Sequence, residues 1–321
     1  MRATIRINIM QNNNEKLLLI PDSFLAGTRI DKYLSDEREE LSRSFIQQLI
    51  SDGNVMVNDK SVKASYKIKE GDEISLIIPE AEELVIEPED IPLDIVYEDD
   101  DVVVVNKPQG MVVHPAAGHY SGTLVNALMY HCRDSLSGIN GVMRPGIVHR
   151  IDMNTSGLLV ICKNDNSHKA LADQFSVHSI TREYTAVVYD HFNVSEGTVD
   201  APIARSKDDR KKMSIDPTGR RAVTHYSVVE PLERNFTLIK ARLETGRTHQ
   251  IRVHMASIKH PLLGDDVYGP KKCPFNLNGQ MLHAGKLGFI HPSTGKYVEF
   301  ESPLPEYFTR ILNVLRKPEN S

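Results

Sequence analysis

The segment His149-Arg150-Ile151-Asp152-Met153-Asn154-Thr155-Ser156-Gly157 leads directly into the apolar residues 158–162, Leu-Leu-Val-Ile-Cys. Small polar residues followed by a short apolar run predict a turn that opens a buried strand. Asp152 would then lie on a loop at the mouth of a sheet, where rigid strands hold side chains that bind or react. The segment alone leaves four roles open for Asp152, which are acid or base, nucleophile, metal ligand and cap of its own turn.

Short apolar segments continue along the chain on both sides of this strand. Strands are predicted at residues 102–105, 158–162, 184–189, 222–229, 236–243 and 282–289, and helices at residues 167–177 and 248–258. The helices interrupt the strands irregularly, whereas a doubly wound fold alternates strand and helix. Residues 93–321 are therefore predicted to form an α+β domain with a mixed, largely antiparallel central sheet, flanking helices and a catalytic cleft.

Residues 17–80 are predicted to form a small α/β domain of their own. A helical pattern covers residues 29–35, and Ser42 is placed to cap a second helix over residues 43–52, which Gly53 ends. The apolar face predicted for this second helix consists of Phe45, Ile46, Leu49 and Ile50. Strands are predicted at residues 55–57 and 73–78.

This order of two helices and a hairpin resembles the S4 RNA-binding domain. The resemblance is carried by Arg29-Ile30-Asp31-Lys32-Tyr33-Leu34, Ser42-Arg43-Ser44, Gly53-Asn54-Val55-Met56-Val57-Asn58 and Gly71-Asp72. It implies that basic residues around the helices and the hairpin contact the RNA backbone, and these are Arg29, Lys32, Arg43, Lys60 and Lys63. Such contacts position a nucleic acid and carry little sequence information. A solvated helix face is the alternative interpretation.

Composition and charge limit the class of protein. The chain has 321 residues, enough for two domains, and its three cysteines are far apart, which favours neither a metal site nor a disulfide framework. The polar residues 1–16 are predicted to be an extension without a signal sequence, and no apolar run is long enough to span a bilayer, so a cytoplasmic location is expected. The formal net charge of −5 means that any RNA surface must come from local clustering of charge.

Charge is indeed segregated along the chain. Acidic residues concentrate between residues 80 and 101, and residues 81–92 within this stretch are predicted to be an extended acidic linker. A basic belt consists of Arg205, Lys207, Arg210, Lys211, Lys212, Arg220 and Arg221. This belt, with Lys211 and Lys212 as its foremost candidates, is predicted to contact RNA, and a solvated face is the alternative.

Two further segments supply candidate site residues. Arg247 lies in Glu244-Thr245-Gly246-Arg247-Thr248-His249-Gln250-Ile251-Arg252 at a predicted strand–helix junction. A guanidinium there can hold the Asp152 carboxylate in a two-pronged geometry, and a structural ion pair is the alternative. Tyr184 opens a predicted strand, where it can stack on a base, move a proton or simply pack in the core.

In this order, the segments resemble the RluA/RluD family of RNA pseudouridine synthases, whose motifs are H-R-[IL]-D-x-x-T-S-G, R/K-x-Y and T-G-R-T-H-Q-I-R. Residues 106–115, 260–265 and 282–284 match as well. The resemblance implies that Asp152, Tyr184 and Arg247 are catalytic. Asp152 acts as the nucleophile, Arg247 orients it and Tyr184 stacks under the uracil. It also implies that Arg150 fills the gap left by a flipped base.

With an S4-like domain in front, the chain resembles the RluD-type branch, which modifies large-subunit ribosomal RNA. The expected activity is the isomerisation of specific uridines to pseudouridine, with RNA as partner, no cofactor, no metal and no membrane, in a monomer. The sequence has no glycine-rich nucleotide loop and no metal-spaced Cys/His cluster. The alternatives are a non-catalytic S4-type factor in RNA binding or ribosome assembly, and the same enzyme class acting on transfer RNA.

Overall fold

The computed structural model describes residues 5–11, 14–38, 41–78, 86–115, 119–133, 135–139, 144–209 and 212–316. The chain forms two compact units, Met1–Glu83 and Leu84–Ser321. Each unit has its own hydrophobic core.

The N-terminal unit is an antiparallel sheet with two helices. Its elements are β1 (Ile5–Gln11), β2 (Asn14–Ile20), α1 (Ile30–Glu37), α2 (Arg43–Ser51), β3 (Val55–Val57), β4 (Lys60–Ser61) and β5 (Ile74–Ile78), with a short 3-10 turn at Ser23–Leu25. The strand order is β1-β2-β5-β3-β4, and each neighbouring pair is antiparallel.

Helix α2 begins where the sequence predicts. The Ser42 hydroxyl accepts a hydrogen bond of 3.2 Å from the backbone N–H of Phe45, which satisfies one of the free donors at the helix start. Ile46, Leu49 and Ile50 are buried in the core of the unit. Phe45 is 42% exposed, so its assignment to the apolar face is wrong. Three positions around the helix already fill the core, and the fourth faces outward.

All of β1 and the first three residues of β2 lie in the segment 1–16, which is predicted to be a polar extension. β1 and β2 form a hairpin in which Gln11 pairs with Asn14, and β2 continues the sheet through β5. The prediction of a separate extension over residues 1–16 is therefore wrong for its described residues. Strand pairing at a sheet edge depends on backbone hydrogen bonds, which a polar sequence forms as well as an apolar one.

The second unit carries a large sheet and four helices among its described residues. In chain order they are β6 (Ile95–Glu98), β7 (Val102–Lys107), α3 (Leu124–Cys132), β8 (Ser156–Cys162), α4 (Asp165–Ser176), β9 (Thr181–Tyr189), β10 (Glu196–Asp200), β11 (Ile203–Arg205), β12 (Met213–Ile215), β13 (Val223–Leu232), β14 (Phe236–Leu243), α5 (Gln250–Ser257), β15 (Leu282–Ile290), β16 (Tyr297–Glu301) and α6 (Glu306–Leu315). Within the part of the chain described, no helix combines the length and the apolar character needed to cross a membrane.

The large sheet has the order β10-β13-β14-β9-β15-β8-β7-β6, with β16 paired to β15. β8 and β15 are parallel, and the other neighbouring pairs are antiparallel. β11 and β12 form a separate two-stranded ribbon. The predicted α+β class with a mixed, largely antiparallel sheet is confirmed, and the predicted strands and helices of this unit differ from the observed ones by no more than three residues at either end.

The alternation of side chains along β7 and β8 covers both faces of the sheet. Val103, Val105, Leu159 and Ile161 pack in one core cluster with residues of α3 and α5, and Val102, Val104, Leu158 and Val160 pack in another with Leu171 of α4. Successive residues of a strand point to opposite faces, so β8 is buried throughout and is apolar from Leu158 to its end. The loop that carries Asp152 is thus anchored to the most buried strand of the unit.

The predicted acidic linker is folded in its described part. Ile86 is buried in the core of the second unit. The Asn126 side chain donates to the backbone oxygen of Glu87 at 2.9 Å, and the backbone N–H of Gly122 donates to the Glu89 carboxylate at 3.0 Å. The linker prediction is therefore wrong from residue 86 onward, while residues 79–85 lie outside the described residues.

Candidate active site

A cavity of about 330 Å³ opens between the loop before β8, the first half of β9 and the start of α5. Its volume lies within the range of small-molecule sites. The polar and charged side chains that line it belong to His149, Arg150, Asp152, Thr155, His178, Arg182, Tyr184, Arg247, Thr248, His249, Gln250 and Arg252. The cavity brings the three predicted catalytic residues together with Arg150.

A tight turn fixes the loop that carries Asp152. The backbone N–H of Thr155 donates to the backbone oxygen of Asp152 at 3.0 Å, and Gln280 donates to the Thr155 hydroxyl at 3.0 Å. Gly157 adopts a φ of +116°, and a Cβ at this position would lie 2.3 Å from the backbone oxygen of Ala284. Only glycine allows β8 and β15 to approach this closely. The turn residues therefore set the position of the carboxylate.

Lys107 supports the same loop from below. Its side chain is buried, and Nζ donates to the backbone oxygens of Pro108, Met111 and Met153 at 2.8, 2.8 and 3.0 Å. Burial lowers the pKa of Lys107 to about 7, while the charge of Asp152 acts in the opposite direction. Three acceptors match the three protons of an ammonium group. Sequence reasoning assigned this lysine no role, although it lies in the matching segment 106–115.

Asp152 pairs with Arg252, and the prediction that Arg247 holds its carboxylate is wrong. Nη1 of Arg252 lies 3.0 Å from Oδ2 of Asp152, and Nε and Nη2 bind both oxygens of the buried Asp265 at 2.7 and 2.9 Å. Burial lowers the pKa of Arg252, but the hydrogen bonds and charges of Asp265 and Asp152 outweigh it and raise that pKa above its usual value. The guanidinium therefore bridges two carboxylates and stays charged.

The start of α5 explains why Arg247 points elsewhere. The Gln250 side chain accepts hydrogen bonds from the backbone N–H of Arg247 at 2.9 Å and from the Thr245 hydroxyl at 2.8 Å. This cap places Arg247 before the first helical turn, where its Nε donates to the backbone oxygen of Arg221 at 3.0 Å. Arg252 lies within the helix and faces the Asp152 loop. Arg247 remains on the cavity wall without contacting Asp152.

His249 is a second neighbour of the carboxylate. Its Nε2 lies 4.0 Å from Oδ1 of Asp152, and its Nδ1 lies 2.9 Å from the hydroxyl of Tyr268. That hydroxyl accepts a hydrogen bond of 2.8 Å from the backbone N–H of Met213, so its own proton is available to Nδ1. The proton of the neutral imidazole then lies on Nε2 and faces Asp152. Burial lowers the pKa of His249, against the charge of Asp152, which raises it.

Tyr184 and Arg150 complete the cavity. Tyr184 is buried on β9, and burial raises the pKa of its hydroxyl, which is therefore protonated at neutral pH. Arg150 is exposed at the rim, and its Nη1 lies 3.4 Å from Nε2 of His114. An aromatic ring inside the cavity and an exposed cation at its edge are suited to a flat ligand that enters from outside.

Predicted RNA contacts in the N-terminal unit lie on its surface. Arg29 and Arg43 each hold the buried carboxylate of Asp31 at 3.0 Å, and Gln47 donates to it at 2.7 Å. These hydrogen bonds, that of Arg29 above all, hold the pKa of Asp31 well below its usual range. Two half-exposed guanidinium groups around one carboxylate leave an excess positive charge at the surface. Lys32, Lys60 and Lys63 are exposed.

The basic belt surrounds the β11–β12 ribbon of the second unit. Lys212 is half-buried next to β12, and its backbone exchanges hydrogen bonds with Ser206 and Asp209. Lys211 and Arg210 lie outside the described residues. Since Met213 of this ribbon bonds to Tyr268, the ribbon is connected to the cavity through His249.

Two groups of potential metal ligands occur among the described residues, and neither lines the cavity. They are Glu98 with His131 and Cys132, and Asp99 with Asp101 and His291. In each group the histidine Nε2 already contacts a carboxylate at 2.7 Å. The cavity itself offers one carboxylate that a guanidinium holds, which is the arrangement of an oriented nucleophile or base.

Comparison with known proteins places both units in families. A sequence model described as RNA pseudouridylate synthase matches residues 101–257, and the S4 domain matches residues 28–74. An RNA pseudouridine synthase of Bacillus subtilis is 56% identical over 289 residues, which cover 90% of this chain and 94% of that protein. A protein of Zymomonas mobilis named ribosomal large subunit pseudouridine synthase D is 51% identical over 302 residues, which cover 91% and 95%.

A solved structure shows the same fold at lower identity. The human RNA pseudouridylate synthase domain containing 1 matches with a TM-score of 0.54 and 24% identity, over 71% of this chain and 97% of that one. The resemblance of the N-terminal residues to the S4 domain and that of the residues after the acidic stretch to RNA pseudouridine synthases are both confirmed. The chain belongs to the RNA pseudouridine synthase family and carries an S4 domain ahead of its synthase domain.

Proposed function

We propose that this protein isomerises specific uridines to pseudouridine in large-subunit ribosomal RNA, with Asp152 as its nucleophile. The observation that carries the proposal is the position of the Asp152 carboxylate. It lies at the cavity, its side chain is 19% exposed, and its Oδ2 is 3.0 Å from Nη1 of Arg252. The name of the relative from Zymomonas mobilis supports the choice of RNA. The preceding S4 domain supports a large, structured RNA as substrate.

The reaction needs little beyond a positioned carboxylate. Pseudouridine formation breaks the bond between C1′ of the ribose and N1 of uracil, and it joins C1′ to C5. A proton leaves C5 and one is gained at N1, so that no atom and no electron is gained or lost overall. The reaction therefore requires no cofactor. Attack at the sugar and attack at the ring both use an ionised, oriented carboxylate.

Arg252 supplies that orientation in the proposed mechanism. Its guanidinium is fixed by the two hydrogen bonds that it donates to Asp265, whose Oδ1 also accepts hydrogen bonds from the backbone N–H groups of Val267 and Tyr268 at 3.0 Å. A rigid cation that donates a hydrogen bond to Asp152 holds its carboxylate in one geometry. We assign this positioning role to Arg252 in place of Arg247.

Tyr184 is assigned to the uracil base. Its ring lies in the cavity that also contains Asp152, so that it can stack under a flipped base. Because burial raises the pKa of its hydroxyl, the phenolate form is disfavoured, and stacking is a better assignment than proton removal. The target base must leave its helix to enter the cavity, and Arg150 at the rim is assigned to the gap that it leaves.

The RNA backbone is proposed to run over the basic surfaces. These are Arg29, Lys32, Arg43, Lys60 and Lys63 of the N-terminal unit, and Lys212 with its neighbour Lys211 of the basic belt. We further propose a cytoplasmic monomer.

The full-length protein, incubated with a large-subunit ribosomal RNA transcript and separately with transfer RNA, tests the proposal. Pseudouridine is then located by chemical labelling. We expect modification of defined uridines in the ribosomal transcript. Modification of transfer RNA alone would keep the reaction and reject the substrate. Tight binding of both RNAs without any pseudouridine would favour the non-catalytic RNA-binding alternative.

A further inference from the structure

Arg182 is a buried cation that lacks an acidic partner among the described residues. It lies on β9 and is 7% exposed. Nη2 donates to the backbone oxygen of Glu244 at 3.2 Å, whereas the buried Nε has no hydrogen-bond partner. The ring of Phe175, 5.5 Å from the guanidinium carbon, gives a weak cation–π contact. A buried charge in this state is unfavourable unless a ligand completes its surroundings.

The guanidinium of Arg182 lies at the cavity that contains Asp152. Arg182 and Tyr184 are two residues apart on one strand, so both side chains point to the same face of the sheet, and both line the cavity. Gly246 makes room for the guanidinium, because a Cβ at this position would lie 2.6 Å from Nη1 of Arg182. A side chain at position 246 would therefore displace the guanidinium from this place.

Arg247 adds a second cation to the same wall. Burial lowers the pKa of Arg182, and the charge of Arg247 acts in the same direction, against Tyr184. Arg247 forms no ion pair with any described acidic residue, and its Nε donates a hydrogen bond to the backbone oxygen of Arg221. The one acidic residue that lines the cavity is Asp152, which Arg252 already holds.

We propose that Arg182 and Arg247 together bind a phosphodiester of the RNA next to the target uridine. The inference rests on the proposed function and adds a subsite to it. A neutral uracil oxygen satisfies one donor but leaves two like charges facing each other. A phosphate offers several acceptors and a negative charge, and guanidinium groups bind it in a two-pronged geometry. A phosphate held here fixes the ribose of the flipped nucleotide relative to Asp152.

A phosphate-binding role for Arg182 predicts opposite effects of its removal on stability and on RNA modification. Replacing Arg182 with methionine removes an uncompensated buried charge, and substitutions of this type leave stability unchanged or raise it. We therefore expect Arg182→Met to unfold at the same temperature as the wild type or above it, and to modify RNA more slowly. A residue with only a structural role would lose both properties together.

The experiment is a chemical double-mutant cycle with the full-length protein. A short RNA that contains a mapped target uridine is prepared with a neutral methylphosphonate at the phosphate on its 5′ side, or at that on its 3′ side. For wild type, one of the two replacements should lower kcat/KM by about 10- to 100-fold, as expected for lost charge-assisted hydrogen bonds. Arg182→Met should lower kcat/KM similarly on normal RNA and should lose little more on that methylphosphonate RNA.

Arg310→Gln serves as the control, because Arg310 is an exposed arginine on α6 that does not line the cavity. This variant should keep the full sensitivity to the methylphosphonate. If Arg182→Met unfolds early, Arg182→Lys keeps a positive charge, and it should retain part of that sensitivity.

The inference would be overturned if Arg182→Met and the methylphosphonate each kept their full effect on kcat/KM when combined, at both phosphate positions. The arginine and the phosphate would then act independently of each other. A second pair of results would also overturn it. Millimolar inorganic phosphate would stabilise wild type but not Arg182→Met, and neither methylphosphonate would change kcat/KM. The site would then bind a free anion and not a phosphate of the RNA. An absence of pseudouridine with wild type on every RNA is a different result, which contradicts the proposed function itself.

Discussion

Replacement of Arg252 with glutamine separates the two arginines that the sequence places in one segment. Arg252 bridges the carboxylates of Asp152 and Asp265, and its side chain is 6% exposed. Arg247 contacts neither of them. The account therefore predicts that Arg252→Gln damages both the fold and the reaction, and that Arg247→Gln leaves the pairing of Asp152 intact.

The size of the effect follows from the contacts. Removing the guanidinium leaves the fully buried Asp265 without its countercharge, and breaking a buried pair in this way costs about 3–5 kcal/mol of unfolding free energy. Two backbone N–H groups still bind Asp265, which favours the lower end of this range. Loss of the oriented hydrogen bond to Asp152 should raise the reaction barrier by about 2–4 kcal/mol, which corresponds to a rate roughly 30- to 1,000-fold lower.

Urea unfolding and single-turnover pseudouridine formation measure the two effects separately. The double variant Arg252→Gln/Asp265→Asn removes the unpaired buried charge, so it should recover part of the stability. It should not recover the rate, because Asp152 still lacks its partner. Arg247→Gln is the matched control for a nearby arginine, and its unfolding free energy should stay close to that of wild type.

Two outcomes would refute this reasoning. If the rate of the double variant returned together with its stability, Arg252 would act only through the fold. The second outcome combines two results. Arg252→Lys would react as fast as wild type, and Arg247→Gln would abolish Asp152-dependent product formation both on RNA with normal phosphates and on RNA with methylphosphonates. Arg247 would then hold the carboxylate of Asp152.

Three more predictions concern stability. Burial lowers the pKa of His283 from 6.5 to about 4, so the unfolded chain binds the proton first and stability falls as the pH drops from about 6.5 to 4. In urea unfolding, His283 should account for about 1.3 kcal/mol of the loss from pH 7.5 to 5.5, beside the losses from His114 and His149, whose pKa values burial also lowers. His283→Gln should lose that much less than wild type, and an equal loss in that variant would contradict the assignment. Gly157→Ala should lower the unfolding free energy by at least ~2 kcal/mol, because its backbone is strained and its Cβ would overlap with the neighbouring strand. Gly285→Ala is the control and should change the unfolding free energy little, because its Cβ would meet nothing nearer than 3.4 Å. Similar values for both variants would disprove the steric argument. Asp31→Asn should weaken the cluster with Arg29 and Arg43 by about 1–3 kcal/mol, and hydrogen exchange in α1 and α2 should accelerate, whereas unchanged exchange would exclude this structural role.

The catalytic loop was predictable because its cause is local. Turn-forming residues before an apolar segment place Asp152 at the start of β8. The role of Tyr184 came from the family resemblance, because β15 separates β9 from β8 in the sheet and no local pattern brings Tyr184 to Asp152. The arginine partner was not predictable in this way. Arg247 and Arg252 lie in one segment, and their assignment depends on how α5 docks against the loop. The roles of Asp265 and Arg182 likewise depend on burial, which arises only when distant segments pack.

Polar composition misled the prediction at two places in the chain. β1 and β2 form a hairpin although their sequences contain many polar residues, since backbone groups provide the pairing. Around residue 89, acidic side chains suggested a solvated linker. There the Glu89 carboxylate instead accepts the backbone N–H of Gly122 just before α3, while Ile86 enters the core. The contact of Glu89 has no signature in the local sequence, whereas in β1 Ile5, Ile7 and Ile9 alternate with polar residues, a strand pattern that the prediction overlooked.

The central claim is that the carboxylate of Asp152 performs the reaction on RNA. Asparagine has the same shape and keeps an oxygen toward Arg252, so Asp152→Asn removes the charge and changes little else. The direct measurement is single-turnover pseudouridine formation by this variant at a mapped uridine of large-subunit ribosomal RNA, together with its affinity for the same RNA. The account predicts affinity close to that of wild type and no product above background. Product formation at the wild-type rate would contradict it.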